Sequence, residues 1–344
     1  MTRALRLHAV PAFTLESGER LVDVRQAYHL DGALNERRDN LVVVVHALTG
    51  SADAAGAWWS DVIGPSRALD TSRYAVLCTN LLGSCYGTSY RGRIGGPARA
   101  SDRATVTTRD QARLIQLLVA DLGAPSVALV TGGSLGGMVA LELAATFPRL
   151  ARHTLVFAAP AAHTAYAIGL NHVQRRAVET FGTHGLALAR MLAMLTYRTP
   201  RELETRFGRR ETGSDAFDVQ TYLSRHGEKL VERFTAEAYL SLLDAMDAHD
   251  VARGRESMAK ALAAVSGRLT GVGITGDLLY AEDDVRAWTD ASGARYRQLA
   301  SSHGHDAFLL EPEKVGRLLS DALAEGAPAT RAKRIPALVA APAW

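Results

Sequence analysis

A chain of 344 residues, 47% hydrophobic and 22% charged, can bury a sizeable core as one large α/β domain or two ordinary ones. Its 39 Lys and Arg against 36 Asp and Glu leave a net charge of +3, too balanced for nucleic acid as the main partner, although a small anionic ligand stays open. Only two cysteines occur, Cys78 and Cys85, which points away from a disulfide framework or a structural zinc site and towards a reducing cytoplasm. The start of the chain lacks the sustained apolar run of a signal peptide, and no window approaches the ~18 apolar residues of a membrane span. A soluble, cytoplasmic protein without membrane partners is expected.

In chain order, residues 5–31 hold two short strand-like stretches, around Phe13 and over 22–30, separated by Glu-Ser-Gly-Glu at 16–19. They read as an antiparallel hairpin. The run Leu-Val-Val-Val-Val at 41–45 does not alternate, as expected of a strand covered on both faces. It leads into His46-Ala47-Leu48-Thr49-Gly50, a loop at the carboxyl end of a central strand, where open α/β sheets hold ligands. His46 at such a strand end reads as structural rather than as a catalytic base. Trp58-Trp59 reads as local packing, 74–79 as a strand, and 89–104, rich in Gly, Arg and Pro, as loop. A helix is predicted from 106–110 through Leu122, with Thr107 or Thr108 as its N-cap.

The β-branched run at 127–131 then stops at glycines that bracket one serine, and 135–147 reads as a helix ended by Pro148. Between them lies Gly132-Gly133-Ser134-Leu135-Gly136, a Gly-x-Ser-x-Gly elbow in the strand-turn-helix setting that the motif requires. A strand that turns this sharply holds its central residue in a strained conformation and pushes the Ser134 hydroxyl outward. A glycine-rich turn that merely packs would carry the same five letters. A strand over 153–158 completes a βαβ series, which by handedness and layering gives a mostly parallel sheet with helices on both faces.

From about 161 the strand signals vanish and helical periodicity dominates. Residues 161–260 therefore read as an inserted helical cap, dividing a core of 1–160 and 261–324, and the Ala/Pro/Arg-rich stretch 325–344 reads as a loosely held tail. The second core part holds a strand at 269–274, Asp277 in the loop after it, a helix from about 282, a strand near 295–299, Ser301-Ser302-His303-Gly304-His305-Asp306, and a helix over 312–323 with proline in its first turn. No internal repeat is found.

Ser134 needs a base, since a serine hydroxyl is essentially un-ionised at neutral pH, and the base needs an acid to set its tautomer. Asp277 and His305 follow two successive strands and so fall on the sheet edge that carries Ser134. His303 is a rival base, and Glu282 and Asp283 are weaker candidates for the acid because they sit inside the predicted helix. The His303-x-His305 pair has no third ligand in view, so no metal is expected. The order Ser, Asp, His resembles that of the α/β hydrolases, in which the oxyanion-hole N–H groups come from the loop after the third strand and from the residue after the nucleophile. Here those would be Leu48 and Leu135.

The resemblance sharpens when the stretches are taken together. His46 to Gly50, Trp58-Trp59 with Ile63-Gly64-Pro65, Asn80-Leu81-Leu82-Gly83-Ser84-Cys85, Thr107-Thr108-Arg109-Asp110, Gly132 to Met138, and Gly304-His305-Asp306-Ala307-Phe308-Leu309 resemble the homoserine O-acetyltransferase family over residues 14–322. Further matches are 185–190, Leu195-Thr196-Tyr197-Arg198, Gly227-Glu228-Lys229, Arg233-Phe234 and Ala245-Met246-Asp247. The resemblance implies an α/β-hydrolase fold and an acyl-serine transferase in methionine biosynthesis, with a triad of Ser134, Asp277 and His305. It further implies Arg190 and Asp306 as amino-acid-binding residues, acetyl-CoA as co-substrate with no permanently bound cofactor, and a homodimer. The chemistry agrees: a guanidinium suits the carboxylate of zwitterionic homoserine, and a carboxylate suits its ammonium.

The sequence departs from the family pattern at Thr88-Ser89-Tyr90-Arg91, in the short loop to Asp110, between Asn171 and Gly185, and at Leu135, where methionine is usual. The backbone N–H of Leu135 is unaffected by its side chain. The loop and cap changes bear on selectivity, so serine as acceptor, succinyl-CoA as donor, or water as acceptor in an esterase stay open. Arg91, Arg93 and the cap arginines are candidates for the CoA phosphates.

Overall fold

The computed structural model describes residues 3–95, 104–212, 216–265 and 268–327. The chain opens with β1 (Arg6–Thr14) and β2 (Arg20–Asp31), an antiparallel hairpin as the sequence predicts. All five residues of β3 (Leu41–Val45) are buried. A minor pair, β4 (Ile63–Gly64) and β5 (Leu69–Asp70), precedes β6 (Ala75–Thr79). Within the stretch expected to be loop, β7 (Gly92–Ile94) pairs antiparallel with β2. Three residues are too few to show a period, so only the partner makes them a strand.

Helix α1 (Thr108–Asp121) starts at Thr107, whose hydroxyl accepts from the Asp110 N–H while the Asp110 carboxylate accepts from the Thr107 N–H. The expected βαβ series follows as β8 (Val127–Gly133), α2 (Leu135–Thr146) and β9 (His153–Phe157). Strand β8 outlasts its β-branched run because Gly132 and Gly133 still pair with Val156 and Phe157.

After β9 the chain is helical: α3 (Ala165–Tyr197), α4 (Pro200–Phe207), α5 (Asp218–Val231) and α6 (Ala236–Asp247), interrupted by a two-residue pair, β10 (Glu211–Thr212) and β11 (Ala216–Phe217). This small pair is absent from the sequence-based expectation. Gly182, at φ +56°, breaks α3 into two helices. Helix α3 packs on α5 and α6, whereas α7 (Met258–Ala263) packs on α2 and α8 (Glu282–Ser292). The boundary expected at 260 therefore falls inside α7. Strands β12 (Arg268–Ile274) and β13 (Arg295–Leu299), the single turn α9 (Ala307–Leu310) and α10 (Pro312–Glu325) complete the described chain. Most of the expected tail, 328–344, lies outside the described residues.

The main sheet runs β1-β2-β6-β3-β8-β9-β12-β13, with β7 on β2. Pairing is parallel from β6 to β13 and antiparallel around β2. In β3, Leu41, Val43 and Val45 join a core under α1, α2 and α8, while Val42 and Val44 join a second core under α10. Burial on both faces is why the run does not alternate. From β3 the chain steps one way, to β6, and from β8 the other way, to β9. The carboxyl ends of β3 and β8 thus flank the switch point where such sheets open a crevice.

An ion cluster ties the returning segment to this core. Glu142 of α2, with a fully buried side chain, receives Nε and Nη2 of Arg109 at 3.0 and 3.1 Å and Nη2 of Arg255 at 2.9 Å. Arg109 and Arg253 in turn each reach Glu16 at 2.7 Å.

Candidate active site

Ser134 stands between β8 and α2 at φ 57°, ψ −128°, a left-handed conformation that costs a non-glycine residue roughly 1–3 kcal/mol. Its N–H donates to Phe157 O at 3.0 Å, which fixes the turn against β9. The glycines are set by close approach: a Cβ on Gly136 would lie 2.2 Å from Val45 O, and one on Gly132 would lie 2.6 Å from the Gly136 backbone. Strand β8, helix α2 and strand β3 can meet this tightly only without side chains there.

Asp277, in the loop after β12, is buried. Its Oδ1 accepts from the N–H groups of Leu279 at 2.8 Å and Tyr280 at 3.0 Å, and its Oδ2 lies 2.7 Å from Nδ1 of His305. A carboxylate held in this way only accepts, so Nδ1 carries the proton and Nε2 is left with a free lone pair. That Nε2 is buried and has no hydrogen-bond partner among the described residues. The ring is boxed in by Tyr197, Tyr280 and Phe308, with centroids 5.4, 5.4 and 5.9 Å away. Burial pulls the His305 pKa down, but the Asp277 carboxylate, with help from Asp306, outweighs it and leaves the imidazole above its ordinary value.

Ser134, His305, Leu48, Arg190 and Asp306 line one cavity of about 70 Å³, with Tyr197 and Phe308 among its walls. Neither Leu48 N–H nor Leu135 N–H donates to a protein acceptor among the described residues. The loop bearing Leu48 is pinned by Arg233, which donates to Thr49 O at 2.7 Å and to the Tyr86 hydroxyl at 2.8 Å.

Arg190, from α3, lies over the Tyr197 ring at 5.4 Å and has no carboxylate within ion-pair distance among the described residues. Asp306 is bound by Arg198 at 3.3 Å. Burial raises the Asp306 pKa, against the opposing pull of Arg198, His305 and Arg190. Arg198, Arg233 and Tyr197 were not singled out as site residues from the sequence, although they stand in the Leu195–Arg198 and Arg233-Phe234 stretches. Neither period nor composition marks a residue that works by bracing another.

The remaining candidates lie apart. Nδ1 of His303 faces Glu202 of α4 at 3.2 Å. Glu282 binds Tyr296 at 3.1 Å, and Gln298 also donates to it. Arg93 pairs with Glu19 at 3.3 Å on the β2–β7 edge. His46 is fully buried, with Nδ1 on Ala47 O at 2.8 Å and Nε2 accepting from Leu81 N–H at 3.1 Å. Burial lowers its pKa to about 4, so it stays neutral and braces the loop.

Residues 40–312 match the family described as alpha/beta hydrolase fold. Over 343 aligned positions the chain is 42% identical to a homoserine O-acetyltransferase of Thermus thermophilus, covering 89% of this chain and 88% of that protein. The solved structure of a homoserine O-acetyltransferase from Staphylococcus aureus superposes with a TM-score of 0.79 at 29% identity, covering 92% of this chain and 94% of that one. Esterase E22 superposes with a TM-score of 0.82 at 19% identity, over 93% of this chain and 99% of that one, and so shares the fold.

Proposed function

The chain belongs to the α/β-hydrolase fold family and, within it, to the homoserine O-acetyltransferases, and from that premise we propose that it transfers the acetyl group of acetyl-CoA to the side-chain hydroxyl of L-homoserine through Ser134. One observation carries the mechanism. His305 is bound to Asp277 through one ring nitrogen, while the other has no partner among the described residues and lies beside the cavity that Ser134 lines.

In the first half-reaction Ser134 Oγ attacks the thioester carbonyl as His305 Nε2 takes its proton. The N–H groups of Leu48 and Leu135 hold the oxyanion. The C–S bond breaks, His305 returns the proton to the thiolate, and CoA leaves an acetyl-serine behind. In the second half, His305 takes the proton of the homoserine hydroxyl as that oxygen attacks the acetyl carbon. Collapse regenerates Ser134 with the same proton and releases O-acetyl-L-homoserine. Arg190 would pair with the substrate carboxylate, supported by its lack of a carboxylate partner among the described residues, and Asp306 would accept from its ammonium beside Arg198. We further propose that residues 161–260 act as a cap whose narrow cavity excludes the competing water. The same reading makes the protein a cytoplasmic homodimer in methionine biosynthesis.

The deciding experiment measures free-thiol release from acetyl-CoA or succinyl-CoA with L-homoserine, L-serine or no acceptor, with mass analysis of the products. Release that needs homoserine and acetyl-CoA and yields O-acetylhomoserine is the expected result. Release from succinyl-CoA or to serine would replace the substrates, and release unchanged by any acceptor would make the enzyme an esterase.

The pH dependence follows from His305. It must be neutral to act, and its pKa is raised by Asp277 and Asp306. We expect kcat/KM for acetyl-CoA to climb with pH through a value above 6.5. In Asp306→Asn the imidazolium loses part of its stabilisation, so that limb should move to lower pH. An unmoved limb would remove Asp306 from the electrostatics of the base.

A further inference from the structure

Helices α4 and α5 enclose a second cavity, of about 450 Å³, whose walls include Arg206, Arg210, Tyr222, Arg225, His226 and Lys229. Four Arg or Lys side chains meet there with a single carboxylate, Asp218, which lies 3.3 Å from Arg210. Arg206, Arg225 and Lys229 have no ion-pair partner among the described residues. Elsewhere in the helical segment Arg175 has Asp244 and Asp247, and Arg198 has Glu202 and Asp306. All four cationic residues are exposed and converge on this one cavity, where a bound anion would offset their mutual repulsion.

Two further observations point to a ligand. The phenol oxygen of Tyr222 is buried without a hydrogen-bond partner among the described residues, which leaves its hydroxyl free to donate to a ligand. The ring of Tyr222 lies 4.8 Å under the Arg206 guanidinium and 4.5 Å from His226, which aligns a flat aromatic surface with the cations. Burial, followed by the positive field of Arg190, Arg198, Lys229 and Arg206, lowers the His226 pKa to about 4. Even a half-buried imidazole is thus kept neutral in that field.

The cavity is also placed to serve Ser134. Gly227 of α5 fits so closely on α3 that a Cβ there would lie 3.0 Å from Ala187 O and 3.2 Å from the Met191 side chain. Arg190, on the same turn of α3, lines the Ser134 cavity and contributes to the field at His226.

Resting on the reading that the donor is acetyl-CoA, we propose that the α4–α5 cavity binds its phosphorylated adenosine end, with Arg206, Arg225 and Lys229 on the phosphates and the Tyr222 hydroxyl donating to a phosphate oxygen. The neutral pantetheine arm then carries the thioester past Arg190 to Ser134. The ligand class is a nucleotide bearing several phosphates, for which convergent guanidinium and ammonium groups are the matching chemistry.

The test uses the full chain and the fragment adenosine 3′,5′-bisphosphate. Titration calorimetry should give binding that weakens with salt and is at least about tenfold weaker in the double variant Arg225→Glu, Lys229→Glu. Tyr222→Phe, which keeps the ring and cannot disturb packing by volume, should lose several-fold. The ratio of kcat/KM for acetyl-CoA to that for acetyl-pantetheine, which lacks the phosphates, should fall by about tenfold in the double variant. Unchanged nucleotide affinity together with a ratio within twofold of wild type would overturn the proposal. The nucleotide titration judges the cavity, and thiol release from acetyl-CoA by the wild-type chain judges the donor, so the two failures are distinguishable.

Discussion

Ser134→Ala should lower acetyl transfer by roughly 10⁵-fold or more and abolish acetylation of the protein by acetyl-CoA, while leaving the fold intact. Alanine keeps the backbone at φ 57° and the N–H bond to Phe157, so only the nucleophilic oxygen is lost. Asp277→Asn should cost about 10⁴-fold in kcat. An asparagine at this place can present its NH₂ to Nδ1 of His305, which would favour the tautomer with the proton on Nε2 and remove the lone pair that accepts the serine proton. Both losses belong to one unit, so the double variant should be scarcely worse than Ser134→Ala alone. The checks are stopped-assay turnover and intact-protein mass after exposure to acetyl-CoA. Ser134→Ala with wild-type turnover would sink the acyl-serine route outright.

The second large effect is on stability. Glu142→Ala should destabilise the fold by about 3–5 kcal/mol, because it strands the guanidiniums of Arg109 and Arg255 beside a cavity once filled by a carboxylate. The exposed pair Lys260–Glu256 is the contrast, since surface ion pairs contribute only ~0–1 kcal/mol. Two partly buried arginines on one fully buried carboxylate are screened far less. Removing Arg109 together with Glu142 should cost less than the two single losses summed, as expected for groups that share one network. Urea unfolding followed by circular dichroism measures each term, and a loss below ~1 kcal/mol for Glu142→Ala would show that the cluster adds nothing to the join between core and returning segment.

Local pattern reaches a definite distance into this protein. The run at 41–45 reads as a doubly covered strand because burial on both faces suppresses alternation, the runs at 127–131 and 153–158 read as strands of the same βαβ series, and each is a central strand of the sheet. The elbow was legible because strand, glycines, serine and helix are contiguous and the backbone itself demands those residues. The β2–β7 pairing, the β10–β11 pair and the break at Gly182 were not, since two or three residues show no period and one glycine has many uses.

Choosing between His303 and His305 shows where the boundary falls. Two histidines stand two residues apart in one loop, and the sequence favours His305 as the base while leaving His303 as a rival. In three dimensions the chain turns at Gly304, φ +68°, and the rings part, one to Asp277 and the other to Glu202. The same holds for Arg198, Arg233 and the α4–α5 cations, whose meaning lies in what they face. Contiguous residues determined the fold class, the order of its elements and the position of Ser134, because hydrogen-bonding period and backbone strain act along the chain. Which side chains share a cavity, which charges are paired and which are left facing one another was decided by tertiary structure alone, because electrostatic and packing energies depend on distance in space and not on separation in sequence.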